Sequence, residues 1–277
     1  MCPTFALSMI RLITVLTWLA LFSVNSIAQA DTVGLEDASV VKSLSNIEYV
    51  EVNTGLASNR AKQLIVFVHG TPGSLTAFLS YVNDPIMQEN FHMISVTRPG
   101  WVADGDAKVP SLGEQAQALE PILRMDRSGK GALLMGHSFG GPVIARTAMD
   151  YPKLVAGLIF VASTGDPKLS GPRWYNRFAV VLPRFILGSS LKGANAEIMP
   201  LRAQLIAMEP RWKGITIPVL IVQGDEDLLV NPRNADFMER MLVNSDVTYL
   251  QLEGMGHFVL WEESELIRDT LIDIFND

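Results

Sequence analysis

The stretch Leu133–Gly141, which reads Leu-Leu-Met-Gly-His-Ser-Phe-Gly-Gly, decides how this chain folds. The apolar run from Gly131 to Met135 predicts a buried strand, and a helix-compatible run from Pro142 to Met149 follows it. Between the two runs stands the pattern Gly-x-Ser-x-Gly, which holds a serine on a sharp strand-to-helix turn with its hydroxyl clear of the sheet. Its glycines let the strand and the helix pass closely because they carry no Cβ. The pattern predicts a nucleophilic Ser138, and the alternative is a glycine-rich turn with a bystander serine.

The first thirty residues have the composition of a leader. Arg11 supplies a positive charge, residues 12–24 are apolar, and Ala28-Gln29-Ala30 gives a small-x-small pattern. These features are typical of a secretory signal peptide, so we expect cleavage before Asp31 and export to the periplasm or the medium. The apolar run is too short for a permanent membrane anchor. Met9 is an alternative start.

Residues 31–277 are acidic in composition and contain no cysteine. Their number suits one large α/β domain. The whole chain has 22 Lys and Arg against 29 Asp and Glu, and without Arg11 the formal charge is −8. Such a charge disfavours nonspecific nucleic-acid binding. Because Cys2 lies in the leader, the expected mature chain has no disulfide and no thiolate metal site.

Apolar and alternating runs predict the remaining strands, and helical runs separate them. The predicted strands are Ile47–Val52, Leu64–Val68, His92–Thr97, Ala156–Ala162, Pro218–Val222 and Val247–Leu252. The predicted helices outside the serine turn are Leu75–Val82, Ser111–Met125, Asn234–Leu242 and Glu262–Phe275. The alternation in Ile47–Val52 is typical of a half-exposed edge strand. The sequence therefore predicts an α/β fold, with a mostly parallel central sheet and helices on both faces.

The interval 164–213 interrupts this alternation. It is too long for an ordinary strand–helix connection, and it has apolar stretches of its own. We interpret it as a helical cap that is inserted above the carboxyl edge of the sheet.

Five motifs, each at the predicted end of a strand, resemble the α/β-hydrolase family. They are His69-Gly70-Thr71-Pro72-Gly73, Arg98-Pro99-Gly100-Trp101, Gly136-His137-Ser138-Phe139-Gly140-Gly141, Gly224-Asp225-Glu226-Asp227 and Gly254-Met255-Gly256-His257-Phe258. The order Ser, Asp, His along the chain is also the order of this family. The resemblance covers nearly all of residues 31–277 and implies the α/β-hydrolase fold, with a cap between the sixth and seventh strands.

The resemblance implies a catalytic triad in which Ser138 is the nucleophile and His257 is the base. A serine hydroxyl is nearly inert at neutral pH until a neighbouring imidazole takes its proton. Three other histidines compete with His257. We assign His69 and His137 to structural hydrogen bonds within their turns, and His92 to a solvated edge position.

Two aspartates follow Gly224, so the triad acid has two candidates. The family places the acid three residues after this glycine, which implies that Asp227 orients the imidazole. Asp225 is the alternative, and with Glu226 it is otherwise a loop carboxylate.

Attack on a carbonyl produces an oxyanion, which needs preorganised hydrogen-bond donors. The resemblance implies an oxyanion hole made of the backbone N–H groups of Phe139 and Thr71. Pro72 has no N–H and is excluded as a donor. The Thr71 hydroxyl either adds a third hydrogen bond or serves only its turn. This chemistry requires no cofactor and no metal.

The cap is basic within an acidic chain. Residues 166–213 include eight Lys or Arg and three Asp or Glu. Trp174 and Phe178 fall on one apolar helical face, and with Trp101 they are expected to line the substrate pocket. The cap is expected to pack this face over the pocket and leave its arginines in solvent. A second hypothesis is that the basic, aromatic face contacts an anionic membrane surface or attracts anionic substrates.

These features predict an exported serine hydrolase, an esterase that cleaves a small-molecule carboxylic ester through an acyl-enzyme. A serine at the nucleophile position disfavours the dehalogenase and epoxide hydrolase chemistry for which the family uses an aspartate. Amidase or peptidase, lactonase, C–C hydrolase and perhydrolase activities share the triad and remain alternatives. Two further alternatives are a non-catalytic ligand-binding module and an acyltransferase.

Overall fold

The computed structural model describes residues 41–52, 61–102, 108–181 and 184–276, and the fold below refers to these ranges. The predicted leader (1–30) and its cleavage position lie outside the described residues.

Eight strands in the described ranges form one sheet in the order β1-β2-β4-β3-β5-β6-β7-β8. They are β1 (Lys42–Leu44), β2 (Ile47–Val52), β3 (Gln63–Val68), β4 (Phe91–Thr97), β5 (Ala132–His137), β6 (Val155–Val161), β7 (Val219–Gly224) and β8 (Val247–Leu252). Neighbouring strands from β4 to β8 in this order pair in parallel, whereas β1 pairs with β2 and β2 with β4 in antiparallel fashion. The predicted mostly parallel sheet is confirmed.

Ile47–Val52 is not the edge strand that its alternation predicted. The three-residue strand β1 pairs outside it, with Lys42 opposite Tyr49 and Leu44 opposite Ile47. The alternating burial of β2 therefore reflects a position next to the edge of the sheet, with β1 on one side and β4 on the other.

Helices cover both faces of the sheet, as expected. They are α1 (Leu79–Val82), α2 (Pro85–Asn90), α3 (Leu112–Leu123), α4 (Gly140–Asp150), α5 (Trp174–Val181), α6 (Arg184–Met208), α7 (Arg233–Met241), α8 (Val259–Glu262) and α9 (Ser264–Phe275), with 3₁₀ turns at Leu75–Phe78 and Glu209–Gly214. Helix α3 begins after its N-cap residue Ser111, whose Oγ accepts a hydrogen bond from the Glu114 N–H at 3.2 Å. In the described part of the chain, no helix combines the length and apolarity that crossing a membrane requires.

Two hydrophobic cores lie on opposite faces of the sheet because side chains alternate along each strand. In β3, Leu64, Val66 and Val68 belong to the first core, which also contains residues of α3, α4 and α7. Ile65 and Phe67 belong to the second core, together with residues of α1, α8 and α9. The sheet is therefore buried on both sides, and its functional groups lie at the strand ends.

The segment between β6 and β7, for which the sequence predicts a cap, contains α5, α6 and the second 3₁₀ turn. Helix α6 is bent at Gly188, where φ is 72°. Past the bend, its residues Leu201, Leu205 and Met208 are buried in the first core. The second half of α6 is therefore part of the packed domain as well as part of the cap.

Candidate active site

Ser138 lies at the turn between β5 and α4, with its backbone in the left-handed region at φ 54°. Its N–H donates to the Val161 carbonyl at 3.0 Å. Its own carbonyl accepts from the N–H groups of Gly141 at 3.1 Å and Thr164 at 3.3 Å. These bonds hold an unfavourable backbone angle in place and leave the Ser138 side chain partly exposed.

Close backbone contacts around the turn require glycine. A Cβ on Gly140 would overlap the Val68 carbonyl oxygen at the end of β3, and it would lie 3.0 Å from the His69 carbonyl oxygen. A Cβ on Gly136 would lie 2.7 Å from the Gly140 carbonyl oxygen. The two glycines of the motif thus let β3, β5 and the start of α4 meet at one point.

The structure brings His257 and Asp227 together, although 30 residues separate them along the chain. His257 Nδ1 and Asp227 Oδ2 are 2.7 Å apart, in the loops that follow β8 and β7. The Asp227 side chain is fully buried, and the imidazole is 9% exposed. Because Nδ1 donates to the carboxylate, Nε2 is the nitrogen that is left to accept a proton.

Asp227 is held as a carboxylate. Burial by itself raises the pKa of this group, but the hydrogen bond and the charge of His257 outweigh burial. The N–H groups of Leu229 and Val230, each 2.8 Å from Oδ1, act in the same direction. Together they bring the pKa of Asp227 below its ordinary value. Gln223 Nε2 donates a further bond to Oδ2 at 3.2 Å.

Asp225, the other candidate acid, has a different partner. Its Oδ1 accepts the Gly254 N–H at 2.8 Å, and the residue is exposed. The carboxylate therefore supports the loop that leads to His257, and it is Asp227 that contacts the imidazole.

His137 links the serine turn to the His257 loop. Its Nε2–H donates to the His257 carbonyl at 3.2 Å, and the two rings lie 4.8 Å apart between centroids. Burial, assisted by the nearby His257, lowers the pKa of His137 to about 3. His137 is therefore neutral at physiological pH, and its contacts match the structural role that was predicted for it.

His69 fixes the loop that follows β3. Its Nδ1–H donates to the Gly70 carbonyl at 2.7 Å, and its Nε2 accepts the Arg98 backbone N–H at 3.0 Å. Burial and the Arg98 charge lower the pKa of His69 well below its ordinary value, which suits this neutral tautomer. A Cβ on Gly70 would lie 3.0 Å from the Ser138 Cβ, so the loop adjoins the serine.

The expectation for His92 was wrong. It is 6% exposed, and its Nε2 lies 2.8 Å from Glu51 Oε1 on the neighbouring strand β2. A hydrogen-bonding partner on the neighbouring strand, rather than solvent, accommodates this ring.

The residues predicted for the oxyanion hole are Phe139, at the start of α4, and Thr71, in the loop after β3. Phe139 immediately precedes α4, where the first backbone N–H groups of a helix have no intrahelical acceptor. The Thr71 Oγ1 atom is buried and has no hydrogen-bond partner among the described residues. A buried hydroxyl without a partner is costly, so this atom is available to an oxygen of a bound substrate.

The three predicted pocket residues have different surroundings. Trp101 is half-buried, and its Nε1–H donates to Glu197 Oε1 at 3.0 Å. Trp174 is 59% exposed, which argues against a packed position in a pocket wall. The side chain of Phe178 lies outside the described part of the structure, so its role remains a prediction.

Sequence reasoning missed a buried ion pair between Arg98, which follows β4, and Glu197 in α6. Arg98 was identified only as part of a motif, and Glu197 only as one acid of the cap. A signal was present, because Glu197 lies three residues after Ala194 and four before Leu201, on the buried stripe of α6. A carboxylate on such a stripe requires a buried cation.

Across the described ranges, no three His, Cys, Asp or Glu side chains are grouped as metal ligands would be.

Comparison with known proteins gives matches over most of the chain. A sequence model of the alpha/beta hydrolase family matches residues 65–270. The "uncharacterized hydrolase YugF" of Bacillus subtilis (strain 168) is 24% identical over 251 residues, which cover 78% of this chain and 90% of that protein. "Lipase 1" of Psychrobacter immobilis is 23% identical over 250 residues, which cover 76% of this chain and 76% of that protein.

Among solved structures, a thermophilic esterase from Thermogutta terrifontis superposes with a TM-score of 0.61 at 18% sequence identity. The alignment covers 82% of this chain and 93% of the esterase. At this identity the likeness demonstrates a shared fold.

Gly140→Ala is expected to destabilise the protein by about 1–3 kcal/mol, because the new methyl group overlaps the Val68 carbonyl oxygen. Gly214→Ala is the matched control, since a Cβ at that position meets no atom within 4 Å. Thermal unfolding of both variants checks this prediction. Equal melting temperatures for the two variants would contradict the close contact at Gly140.

The neutral His137 predicts acid-sensitive stability. Below pH ~6.5 the unfolded chain protonates this histidine, whereas the folded chain leaves it neutral down to pH about 3. The free energy of unfolding therefore falls as pH falls through this window, by at most about 1.4 kcal/mol per pH unit for this group. Urea unfolding between pH 5.5 and 4.5 measures the slope, in a range above that in which Asp227 protonates.

His137→Gln retains a donor for the His257 carbonyl but has no titratable group. The slope of its unfolding free energy against pH should be smaller than that of the wild type by up to about 1.4 kcal/mol per pH unit. Identical slopes in the two proteins would show that His137 is protonated in the folded state.

Proposed function

Since the chain belongs to the alpha/beta hydrolase family and is a hydrolase, we propose that it cleaves carboxylic esters through an acyl-enzyme on Ser138. One observation carries the proposal. The buried Asp227–His257 hydrogen bond of 2.7 Å joins the loops after β7 and β8. His137 ties the loop after β8 to the serine turn through the His257 carbonyl. A serine on a strained turn, with an oriented imidazole in the loop to which that turn is bonded, is the arrangement that we propose for nucleophilic acyl transfer.

The first step is attack of Ser138 Oγ on the ester carbonyl carbon while His257 Nε2 takes the hydroxyl proton. The Asp227 carboxylate holds the proton of Nδ1 in place and balances the imidazolium charge that forms. Its lowered pKa supports this role, because the carboxylate stays ionised at neutral pH. The carbonyl oxygen becomes an oxyanion, which accepts hydrogen bonds from the backbone N–H groups of Phe139 and Thr71.

Collapse of this intermediate breaks the ester C–O bond. The leaving alkoxide takes the proton from Nε2, and the acyl group remains on Ser138 Oγ. A water molecule then repeats the sequence, giving its proton to Nε2 and attacking the acyl carbon. Release of the carboxylic acid returns the proton to Ser138 and restores the enzyme.

The relatives support the ester as the substrate class. One is named as a lipase and one solved structure as an esterase. The buried, unpartnered hydroxyl of Thr71 fits the same chemistry, since it offers a donor beside the loop that adjoins Ser138.

We expect hydrolysis in a panel of p-nitrophenyl esters of rising chain length, run beside peptide and lactone substrates. Ser138→Ala should lower kcat by about 10⁶-fold, because it removes the nucleophile and leaves binding intact. A fluorophosphonate probe should label the wild type at Ser138 and fail to label Ser138→Ala.

Other outcomes identify the rival activities. Hydrolysis of peptides or lactones without esters assigns the same serine to another acyl substrate. Transfer of the acyl group to an added alcohol in preference to water identifies an acyltransferase. A wild-type protein that the probe does not label is not a serine hydrolase.

The two aspartates after Gly224 give a matched pair for the triad acid. Asp227→Asn should lower kcat by about 10³- to 10⁴-fold with little change in the fold, because the amide favours the wrong imidazole tautomer. Asp225→Asn removes the same charge two residues away and should retain most activity, because among the described residues the Asp225 carboxylate bonds only the Gly254 N–H. Steady-state kinetics of both variants check the prediction, and an inactive Asp225→Asn beside an active Asp227→Asn would reverse the assignment.

A further inference from the structure

The buried pair of Arg98 and Glu197 lies beside the site and has no part in the mechanism above. The two side chains form a bidentate contact, with Arg98 NH1 2.6 Å from Glu197 Oε1 and NH2 3.1 Å from Oε2. Their side chains are 1% and 0% exposed. Removing two charges from water is costly, so a buried ion pair is retained only where hydrogen-bond partners satisfy both groups.

Every N–H donor of the Arg98 guanidinium has an acceptor. Besides the two Glu197 oxygens, Nε donates to the His69 carbonyl at 2.9 Å and NH2 to the Gly70 carbonyl at 2.7 Å. NH1 donates to Gln115 Oε1 at 2.7 Å. The guanidinium therefore binds two successive carbonyls of the loop that adjoins Ser138.

The Gly70 carbonyl belongs to the same peptide unit as the Thr71 N–H. In a planar trans peptide the carbonyl and the N–H point in opposite directions. The Gly70 oxygen accepts from Arg98 NH2 and also from His69 Nδ1, so the Thr71 N–H on the other side of this peptide points away from both donors. This N–H is the oxyanion donor of the proposed function.

Glu197 holds Arg98 from the cap side. Its Oε1 also accepts from Trp101 Nε1 at 3.0 Å and from Gln115 Nε2 at 3.0 Å. The guanidinium plane is further covered by the Phe139 ring, whose centroid lies 5.0 Å from Arg98 Cζ. One carboxylate of α6 thus fixes the cation that fixes the oxyanion loop.

We propose that Glu197 and Arg98 are positioning residues, through which helix α6 of the cap sets the orientation of the oxyanion-hole peptide Gly70–Thr71. The inference rests on the proposed function, since it assumes chemistry at an oxyanion. It makes α6 a fixed part of the catalytic machinery.

The test is Glu197→Gln, which retains the shape of the side chain and removes its charge and one acceptor. We expect kcat on an ester to fall roughly 10- to 100-fold, less than for loss of an oxyanion donor itself, with KM changed less than about threefold. The inhibition constant of a trifluoromethyl ketone, which forms a tetrahedral oxyanion on the serine, should rise by the same factor as kcat falls. Titration with the fluorophosphonate probe corrects for the folded fraction.

Glu209→Gln is the matched control, because Glu209 is a half-buried acid of the 3₁₀ turn after α6. It should have the wild-type kcat and the wild-type inhibition constant. The double variant Arg98→Met with Glu197→Met separates stability from positioning. It removes both buried charges, so it should be more stable than Arg98→Met alone or Glu197→Met alone, each of which leaves one charge unpaired. Its kcat should nevertheless stay low.

Three outcomes overturn the proposal while leaving the hydrolase assignment intact. They are a wild-type kcat in Glu197→Gln, a kcat that falls without weaker trifluoromethyl ketone binding, and a double variant whose activity returns with its stability. If the wild type neither hydrolyses esters nor reacts with the fluorophosphonate probe, the proposed function fails, and this inference fails with it.

Discussion

The whole site depends on one close contact of main chains, where β3, β5 and the first turn of α4 meet. Ser138 has a left-handed backbone at this contact, and Gly140 lies against the carbonyl oxygens of Val68 and His69. An amino acid with a Cβ at residue 140 would separate these elements. Because they stay together, the loop after β3 lies beside the serine, and both follow the rigid parallel centre of the sheet. The precision of the site therefore comes from the sheet, which is buried on both faces.

Most of the fold could be predicted because its central strands are continuous apolar runs that end in distinctive motifs. The elements that could not be predicted lack such a signal. Strand β1 has three residues, two of them polar, and forms only because β2 is available to pair with it. His92 was judged by its neighbours in sequence, whereas its environment is set by Glu51 on an adjacent strand. The parts of the fold that come from pairing of distant segments are the parts that a single sequence conceals.

The candidate site follows the same division. Motif order predicts a triad of Ser138, Asp227 and His257, and the structure places the last two in contact. Arg98 and Glu197 are 99 residues apart, and no local pattern relates them. Removing one member of such a buried pair leaves an unpaired charge, at a cost of about 3–5 kcal/mol. The pair therefore couples the folding of the cap to that of the sheet, because neither charge is satisfied until α6 has docked.

The position of β8 at the edge of the sheet has a consequence for biosynthesis. The central strands and the serine turn come from residues 63–141, whereas His257 follows β8, the last strand along the chain. During synthesis the chain therefore completes the serine turn long before it contains the histidine of the proposed triad. Under the proposed mechanism, Ser138 is therefore an ordinary alcohol until His257 has been added, because the base that takes its proton is not yet part of the chain.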